Sequence, residues 1–148
     1  VLKGFAAGYP MVGLKATLYD GSYHPVDSSE MAFKTAASLA FKAAMPNASV
    51  AILEPVGTLT VVLPNDNLGD IMGDVTKRRG RVLGTNPAQS GMQELVAEVP
   101  MAEMGDFTTV LRSITAGRGS YSLEFTRYEQ APQAVADKVI ADRAATEE

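Results

Sequence analysis

The residue types that most often carry out catalysis are scarce in this sequence. It contains one histidine, His24, and no cysteine, which excludes a thiolate metal site and nearly excludes a Ser-His-Asp triad. The P-loop motif Gly-x-x-x-x-Gly-Lys-Ser/Thr does not occur, and Gly117-Arg118-Gly119 lacks the third glycine of a dinucleotide-binding motif. We therefore expect no enzyme active site, no cofactor and no metal within these 148 residues.

One candidate binding site is the polar loop that contains the single histidine. Ser22, Tyr23 and His24 lie within residues 20–25, a run of turn-forming residues between two regular segments. The ordinary interpretation of these side chains is an exposed turn. The alternative is a loop tip that contacts RNA, with Tyr23 or His24 stacking on a base or forming a hydrogen bond.

A second candidate is a basic segment near the middle of the chain. Lys77, Arg78, Arg79 and Arg81 surround Gly80, and Arg118 follows later. Cations in the last turn of a helix interact favourably with its dipole, which accounts for the first three. Arg81 lies beyond that predicted helix and favours contact with a phosphate-rich partner, toward which Arg112 and Arg118 could extend the patch.

Composition and charge restrict the kind of protein further. The sequence is 46% hydrophobic and 20% charged, which is typical of a soluble, globular chain. Its net charge of −4 argues against nucleic-acid binding by bulk electrostatics, so any RNA contact must be local. No apolar run approaches the roughly 18–20 residues needed to cross a bilayer, and we expect no membrane contact.

Residues 1–53 contain two predicted elements that cannot close a core alone. Apolar and polar residues alternate over 11–19, which predicts a half-buried strand. A helix is predicted from a cap at Asp27, with Glu30 completing a capping box, to about Met45. A single strand and helix bury too little apolar surface to fold independently. Residues 1–53 therefore either pack on the following domain or form the later half of an α/β unit, and we favour the second interpretation.

A duplicated pattern occupies residues 54–130. Pro64 is followed by Leu68-Gly69-Asp70-Ile71, and Pro100 is followed by Met104-Gly105-Asp106-Phe107. Each copy begins with a predicted strand (56–63 and 93–99) and continues as a helix with an apolar stripe, the first ending at Gly80 and the second at Gly117. Each helix leads into another strand, 81–84 and 120–128, and residues 84–91 form a hairpin connection.

The resulting order is strand, helix, strand, strand, helix, strand. This order predicts an α+β, ferredoxin-like split βαβ domain, with one antiparallel four-stranded sheet and two helices on one of its faces. Residues 131–148 are predicted to form a C-terminal helix, from Gln133 to about Arg143, and an acidic tail.

These segments resemble the translational GTPase family of elongation factor G. Gly8-Tyr9-Pro10, the run from Leu18 to His24 and the run from Val26 to Lys34 are similar to domain four of that family. The sequence Ile52-Leu53-Glu54-Pro55 is similar to the junction with domain five, and domain five itself is matched by three runs: Gly69 to Asp74 with Arg78-Arg79-Gly80, Val99-Pro100 to Glu103-Met104, and Leu111 to Ser113 with Gly117 to Ser120.

The resemblance implies a function on the ribosome. It implies that residues 1–53 are part of a ribosomal protein S5 domain 2-like fold whose tip, residues 21–25, reaches the decoding site during translocation and places His24 near tRNA and mRNA. It implies that domain five faces ribosomal RNA, here through Lys77, Arg78, Arg79, Arg81 and Arg118. GTP and Mg²⁺ are then expected in another domain of a full-length cytoplasmic factor.

Two alternatives remain open at this level. Residues 105–109 differ from the Phe-Gly-Tyr-Ala-Thr run that the resemblance leads one to expect, which is consistent with a specialised or ribosome-protection paralogue. A free-standing ferredoxin-like sensor or assembly module is the alternative from a different class. If an incomplete domain four leaves an apolar face bare, we also expect the chain to self-associate.

Overall fold

The computed structural model describes residues 4–146. Over that range the elements follow in the order α1 (Glu30–Ala44), β1 (Leu53–Pro64), α2 (Leu68–Lys77), β2 (Arg81–Pro87), β3 (Met92–Pro100), α3 (Phe107–Thr115), β4 (Ser120–Gln130) and α4 (Gln133–Thr146). They belong to two compact units: Leu53–Ala131 forms one, and the residues before and after it form the other.

The unit Leu53–Ala131 is a ferredoxin-like domain. Its strands lie in the order β2-β3-β1-β4, and every neighbouring pair is antiparallel. This confirms the predicted split βαβ architecture and the order of its elements. β2 continues to Pro87, three residues beyond the predicted strand, because Thr85, Asn86 and Pro87 stay in register with β3.

The core of this domain lies between the sheet and the two helices. Alternate residues of β1 and β3 point toward the helices because side chains of a strand alternate between its faces. The stripes of α2 and α3 cover them with Ile71, Val75, Phe107 and Leu111. The fully buried strand residues are Leu59, Val61, Leu63, Leu95, Ala97 and Val99.

α2 ends differently from the prediction. The left-handed residue is Arg79, with φ of 64°, and not Gly80. The Gly80 amide donates to the carbonyl of Val75 at 2.9 Å and the Arg79 amide to that of Thr76 at 3.1 Å, which is the Schellman pattern. Gly80 is needed for space, because a Cβ atom there would lie 2.6 Å from Val75 Cγ1 and 2.7 Å from Val99 Cγ1. At the end of α3 the first left-handed residue is Ala116, with a φ of 50°, and Gly117 follows it with a φ of 80°.

The glycines at 73 and 80 form a matched pair for testing this packing. Gly80→Ala is expected to lower the free energy of unfolding by about 2 kcal/mol, because the added methyl group overpacks the core. Gly73→Ala, on the exposed side of α2 with no atom within 4 Å of its Cβ, is expected to raise it by about 1 kcal/mol. Urea denaturation followed by circular dichroism measures both. Equal effects of the two substitutions would contradict the packing argument.

The other unit departs from the sequence prediction. Residues 11–19 form no strand, and Leu18 and Tyr19 are more than 90% exposed. A strand needs a neighbour to satisfy its backbone hydrogen bonds, and the described residues of this unit, 4–52 and 132–146, contain no strand for it to pair with. The prediction of a strand here is therefore wrong for this structure.

The start of α1 is also two residues later than predicted. Ser29 is the N-cap, and its Oγ accepts a hydrogen bond from the Ala32 amide at 3.1 Å. Asp27 lies before the helix, so the Asp27–Glu30 capping box is wrong. Serine and aspartate both cap well, and residues 27–29 offer three such side chains in a row. The predicted end near Met45 is confirmed.

The apolar residues of α1 are at most partly covered within the described chain. None of its residues is buried, and Met31, Phe33 and Leu39 are about half exposed or more. Self-association through this bare face stays a prediction. The predicted C-terminal helix is present as α4 and extends to Thr146, while the last two acidic residues, 147 and 148, lie outside the described residues.

Candidate functional site

The loop before α1 presents the predicted tip residues to solvent. Ser22, Tyr23 and His24 are all exposed. The backbone of His24 is nevertheless held: its amide donates to Ser28 Oγ at 2.8 Å, and its carbonyl accepts from the amides of Asp27 and Ser28 at 3.3 and 3.0 Å. The imidazole is thus exposed on a backbone that is fixed by hydrogen bonds, an arrangement suited to contact with another molecule.

The neighbouring aromatic ring is also positioned by α1. Tyr23 and Phe33 have ring centroids 6.4 Å apart and planes inclined by 24°. Tyr23 is 67% exposed even with this contact. An exposed ring backed by a second ring offers a face on which an unpaired base can stack.

The basic segment after α2 is mostly engaged within the domain. Arg78 is buried, and its guanidinium donates to Asp74 Oδ2 at 2.7 Å, to the Glu103 carbonyl at 2.6 Å and to Asp106 Oδ1. Its Cζ lies 5.4 Å from the centroid of the Phe107 ring. The hydrogen bond to Asp106 raises the pKa of Arg78 above its ordinary value, and the same bond lowers the pKa of Asp106. Arg78 therefore joins the end of α2 to the start of α3.

Arg79 makes a second link of the same kind. Its guanidinium binds both carboxylate oxygens of Glu54 at 2.9 Å, and it reaches Glu103 Oε1 at 3.2 Å. The hydrogen bonds to Glu54 raise the pKa of Arg79 above its ordinary value. Glu54 side-chain exposure is only 12%, so this pair is better shielded from solvent than a surface ion pair. It ties the start of β1 to the end of α2.

Arg81 belongs to a third network on the other face of the sheet. Arg81 Nη2 lies 3.1 Å from Glu98 Oε2, and Arg127 Nη2 lies 2.6 Å from the same oxygen. Arg127 also binds Glu129. The hydrogen bond from Arg127 lowers the pKa of Glu98 and raises that of Arg127. Arg81 remains 71% exposed in its side chain, so it can reach a partner.

The remaining basic side chains are more accessible. Lys77 and Arg118 are exposed, and the Arg118 side chain donates a long hydrogen bond from Nε to the Thr115 carbonyl, at 3.4 Å. Lys77 is at the end of α2, whereas Arg118 follows the end of α3, and these two helices run in opposite directions across the sheet. The predicted basic residues are therefore not brought together into one patch.

Metal-ligating clusters and membrane-spanning helices are both absent from residues 4–146. No cluster of three or more His, Asp or Glu side chains within this range is placed to hold a metal ion. None of the helices described is long and apolar enough to cross a membrane.

Comparison with known proteins explains the two units. The family model described as elongation factor G C-terminus matches residues 51–139, and the model described as elongation factor G, domain IV matches residues 1–49. The chain belongs to the elongation factor G family. It is also similar to a protein of Thermus thermophilus whose crystal structure is known, with a TM-score of 0.80 and 43% sequence identity. That match covers 97% of this chain and 22% of the other, so the chain spans about a fifth of the length of its relative.

Family membership fixes the general role of the chain. It is an elongation factor G-like region of a translation factor. The boundary between the models, at residues 49–51, lies close to the boundary between the two structural units after Ile52.

The acidic partners of the arginines are not among the residues predicted from the sequence. Asp74 and Arg78 are spaced i, i+4 on α2, a spacing that favours an ion pair and could have been used. Glu54 and Glu103 carry no such local signal, because they are distant in sequence from Arg79. RNA binding by Lys77, Arg78, Arg79, Arg81 and Arg118 stays a prediction, with Arg78 the least accessible of the five.

Proposed function

We propose that this chain is the ribosome-contacting region of a translation factor that promotes tRNA–mRNA translocation. The observation that carries this proposal is the exposed Tyr23–His24 tip, which lies within the match to domain IV of elongation factor G. The tip would act by position: it occupies space beside the tRNA–mRNA pair and disfavours return to the earlier state. This chain carries no P-loop, so GTP and Mg²⁺ would be held by another domain of a cytoplasmic, full-length factor.

The ferredoxin-like domain would contribute contacts to ribosomal RNA through accessible cations. Lys77, Arg81 and Arg118 are the exposed members of the predicted set. Arg78 and Arg79 would support that surface from within, because their guanidinium groups bind carboxylates of the same domain. Phosphate contacts of this kind orient a protein on RNA without reading sequence.

Replacing His24 with alanine in the full-length factor tests the proposal. We expect single-turnover translocation to slow by about tenfold, as removal of one polar contact worth roughly 1.4 kcal/mol implies. Ribosome-stimulated GTP hydrolysis should stay nearly unchanged, because the imidazole is exposed and supports no core contact. The two rates can be followed in parallel by rapid kinetics on programmed ribosomes.

Lys34→Ala is a suitable control for this experiment. Lys34 lies on the neighbouring helix α1 but pairs with Glu30, and its side chain is 75% exposed. We expect both rates to match those of the unaltered factor. If His24→Ala leaves translocation as fast as the control does, the tip has no part in the mechanism. If a factor with an intact tip binds ribosomes without translocating, the ribosome-protection alternative is favoured.

A further inference from the structure

We infer that Ser28 is a positioning residue that holds the His24 tip in its working conformation. This inference rests on the proposed function of the tip. Ser28 is half-buried, whereas the other residues of 21–30 are exposed. It is separated from His24 by the three residues of a tight turn and lies directly before the N-cap of α1.

Ser28 binds both backbone polar groups of His24, the amide and the carbonyl. The hydroxyl oxygen accepts from the His24 amide at 2.8 Å, and the Ser28 amide donates to the His24 carbonyl at 3.0 Å. The hydroxyl in turn lies 3.4 Å from Asp27 Oδ1, to which it can donate. These bonds leave the imidazole as the part of His24 that remains available to a partner.

The Ser28 hydroxyl is not needed to start the helix. The first turn of α1 is capped by Ser29, whose Oγ accepts from the Ala32 amide. Removing the Ser28 hydroxyl therefore takes away the bond to the His24 amide and leaves the helix cap in place. The effect of such a change should be confined to the tip.

Loss of the Ser28 hydroxyl should lower the fraction of molecules whose tip is in its working conformation. In an exposed loop, a backbone amide that loses its partner finds water instead, and the loop samples more conformations. The apparent contribution of His24 then falls with the fraction of molecules whose tip is in the competent conformation. A hydroxyl that keeps this fraction high assists translocation without touching RNA.

A double-mutant cycle in the full-length factor tests the inference. Ser28→Ala is expected to slow translocation about fivefold when His24 is present, the size of one lost hydrogen bond. It should cause no further slowing in the His24→Ala background, because it acts only through His24. Ser28→Thr, which keeps the hydroxyl, should restore most of the rate. Ser29→Ala removes the helix cap instead, so any effect should be equal in both backgrounds.

Amide hydrogen exchange on the same variants measures positioning directly. The His24 amide should exchange faster in Ser28→Ala than in the parent or in Ser28→Thr. Unchanged exchange would overturn the positioning role whatever the kinetics show. If His24→Ala slows translocation and Ser28→Ala does not, the positioning role fails while the proposed function stands. If exchange responds but His24→Ala has no kinetic effect, the proposed function fails and Ser28 only orders the loop.

Discussion

Phe107→Ala is expected to lower the free energy of unfolding of the ferredoxin-like domain by about 4 kcal/mol. Truncating a fully buried phenylalanine removes its transfer free energy and leaves a cavity, together roughly 3–5 kcal/mol. Phe107 has no exposed surface. Its ring meets the Tyr121 ring edge-on at a centroid distance of 5.0 Å, and the Arg78 guanidinium lies over it. The cavity would therefore open where the sheet, α3 and the arginine network meet.

Phe125 provides the matched control for this substitution. It is the same residue type in the same domain, but it is 53% exposed on β4 and its ring contacts Tyr128 at 5.1 Å. Phe125→Ala should cost no more than about 1 kcal/mol. Urea denaturation gives the difference, and amide exchange of β1 and β3 assigns it to this domain. Similar costs for Phe107 and Phe125 would show that the assigned core is wrong.

The sequence was sufficient to predict the ferredoxin-like domain because two independent signals agree there. Leu59, Val61 and Leu63 alternate with less buried residues, and the stripe of Ile71 and Val75 has helical spacing. The Gly69-Asp70 and Gly105-Asp106 repeat then fixes the order of elements. Local pattern and global fold are consistent in this half of the chain, which is the condition for inferring architecture from sequence.

The first unit could not be predicted in the same way. Residues 11–19 carry a period of two, but a strand depends on a partner that no local pattern supplies. The cap of α1 was misplaced because Asp27, Ser28 and Ser29 are all competent caps. Which of the three residues is the N-cap depends on the turn around His24, because the Ser28 hydroxyl already accepts a hydrogen bond from the His24 amide.

The candidate site was predicted in part. The exposed tip at Tyr23 and His24 follows from its turn-forming neighbours, and the structure places both at the surface. Apart from the i, i+4 pair of Asp74 and Arg78, the structural role of Arg78 and Arg79 does not follow from sequence, because their partners Glu54, Glu103 and Asp106 come from other elements. A run of cations cannot reveal by itself whether it faces a phosphate or a carboxylate. Within residues 105–109, Asp106 and Phe107 both contact Arg78, whose role in joining α2 to α3 depends on them.

Arg78→Met is expected to lower the free energy of unfolding by about 3 kcal/mol. Methionine keeps most of the apolar stem but removes the donors to Asp74, to the Glu103 carbonyl and to Asp106. The Asp74 side chain is only 18% exposed, so it would be left as a poorly solvated charge, and breaking a buried pair typically costs roughly 3–5 kcal/mol. Arg78→Lys should recover little, because one ammonium cannot reach acceptors that the planar guanidinium binds in different directions.

Arg112→Met is the control, since Arg112 is an exposed arginine on α3 and should be nearly neutral when replaced.

The pH dependence of stability gives a second check on the role of Arg78. The bond from Arg78 lowers the pKa of Asp106 in the folded state. The stability that this bond gives the fold is therefore fully present above the ordinary pKa of an aspartate, about 4. It is lost as the pH falls through the lower pKa that Asp106 has in the folded state. The difference between the unaltered chain and Arg78→Met should therefore shrink below about pH 4. If the difference in free energy of unfolding stayed constant into acid, the carboxylate pairing would be excluded as its cause. If the difference shrinks, Arg78 stabilises the fold through these carboxylates. A loss of ribosome binding by an Arg78 variant would then report on the fold before it reports on RNA.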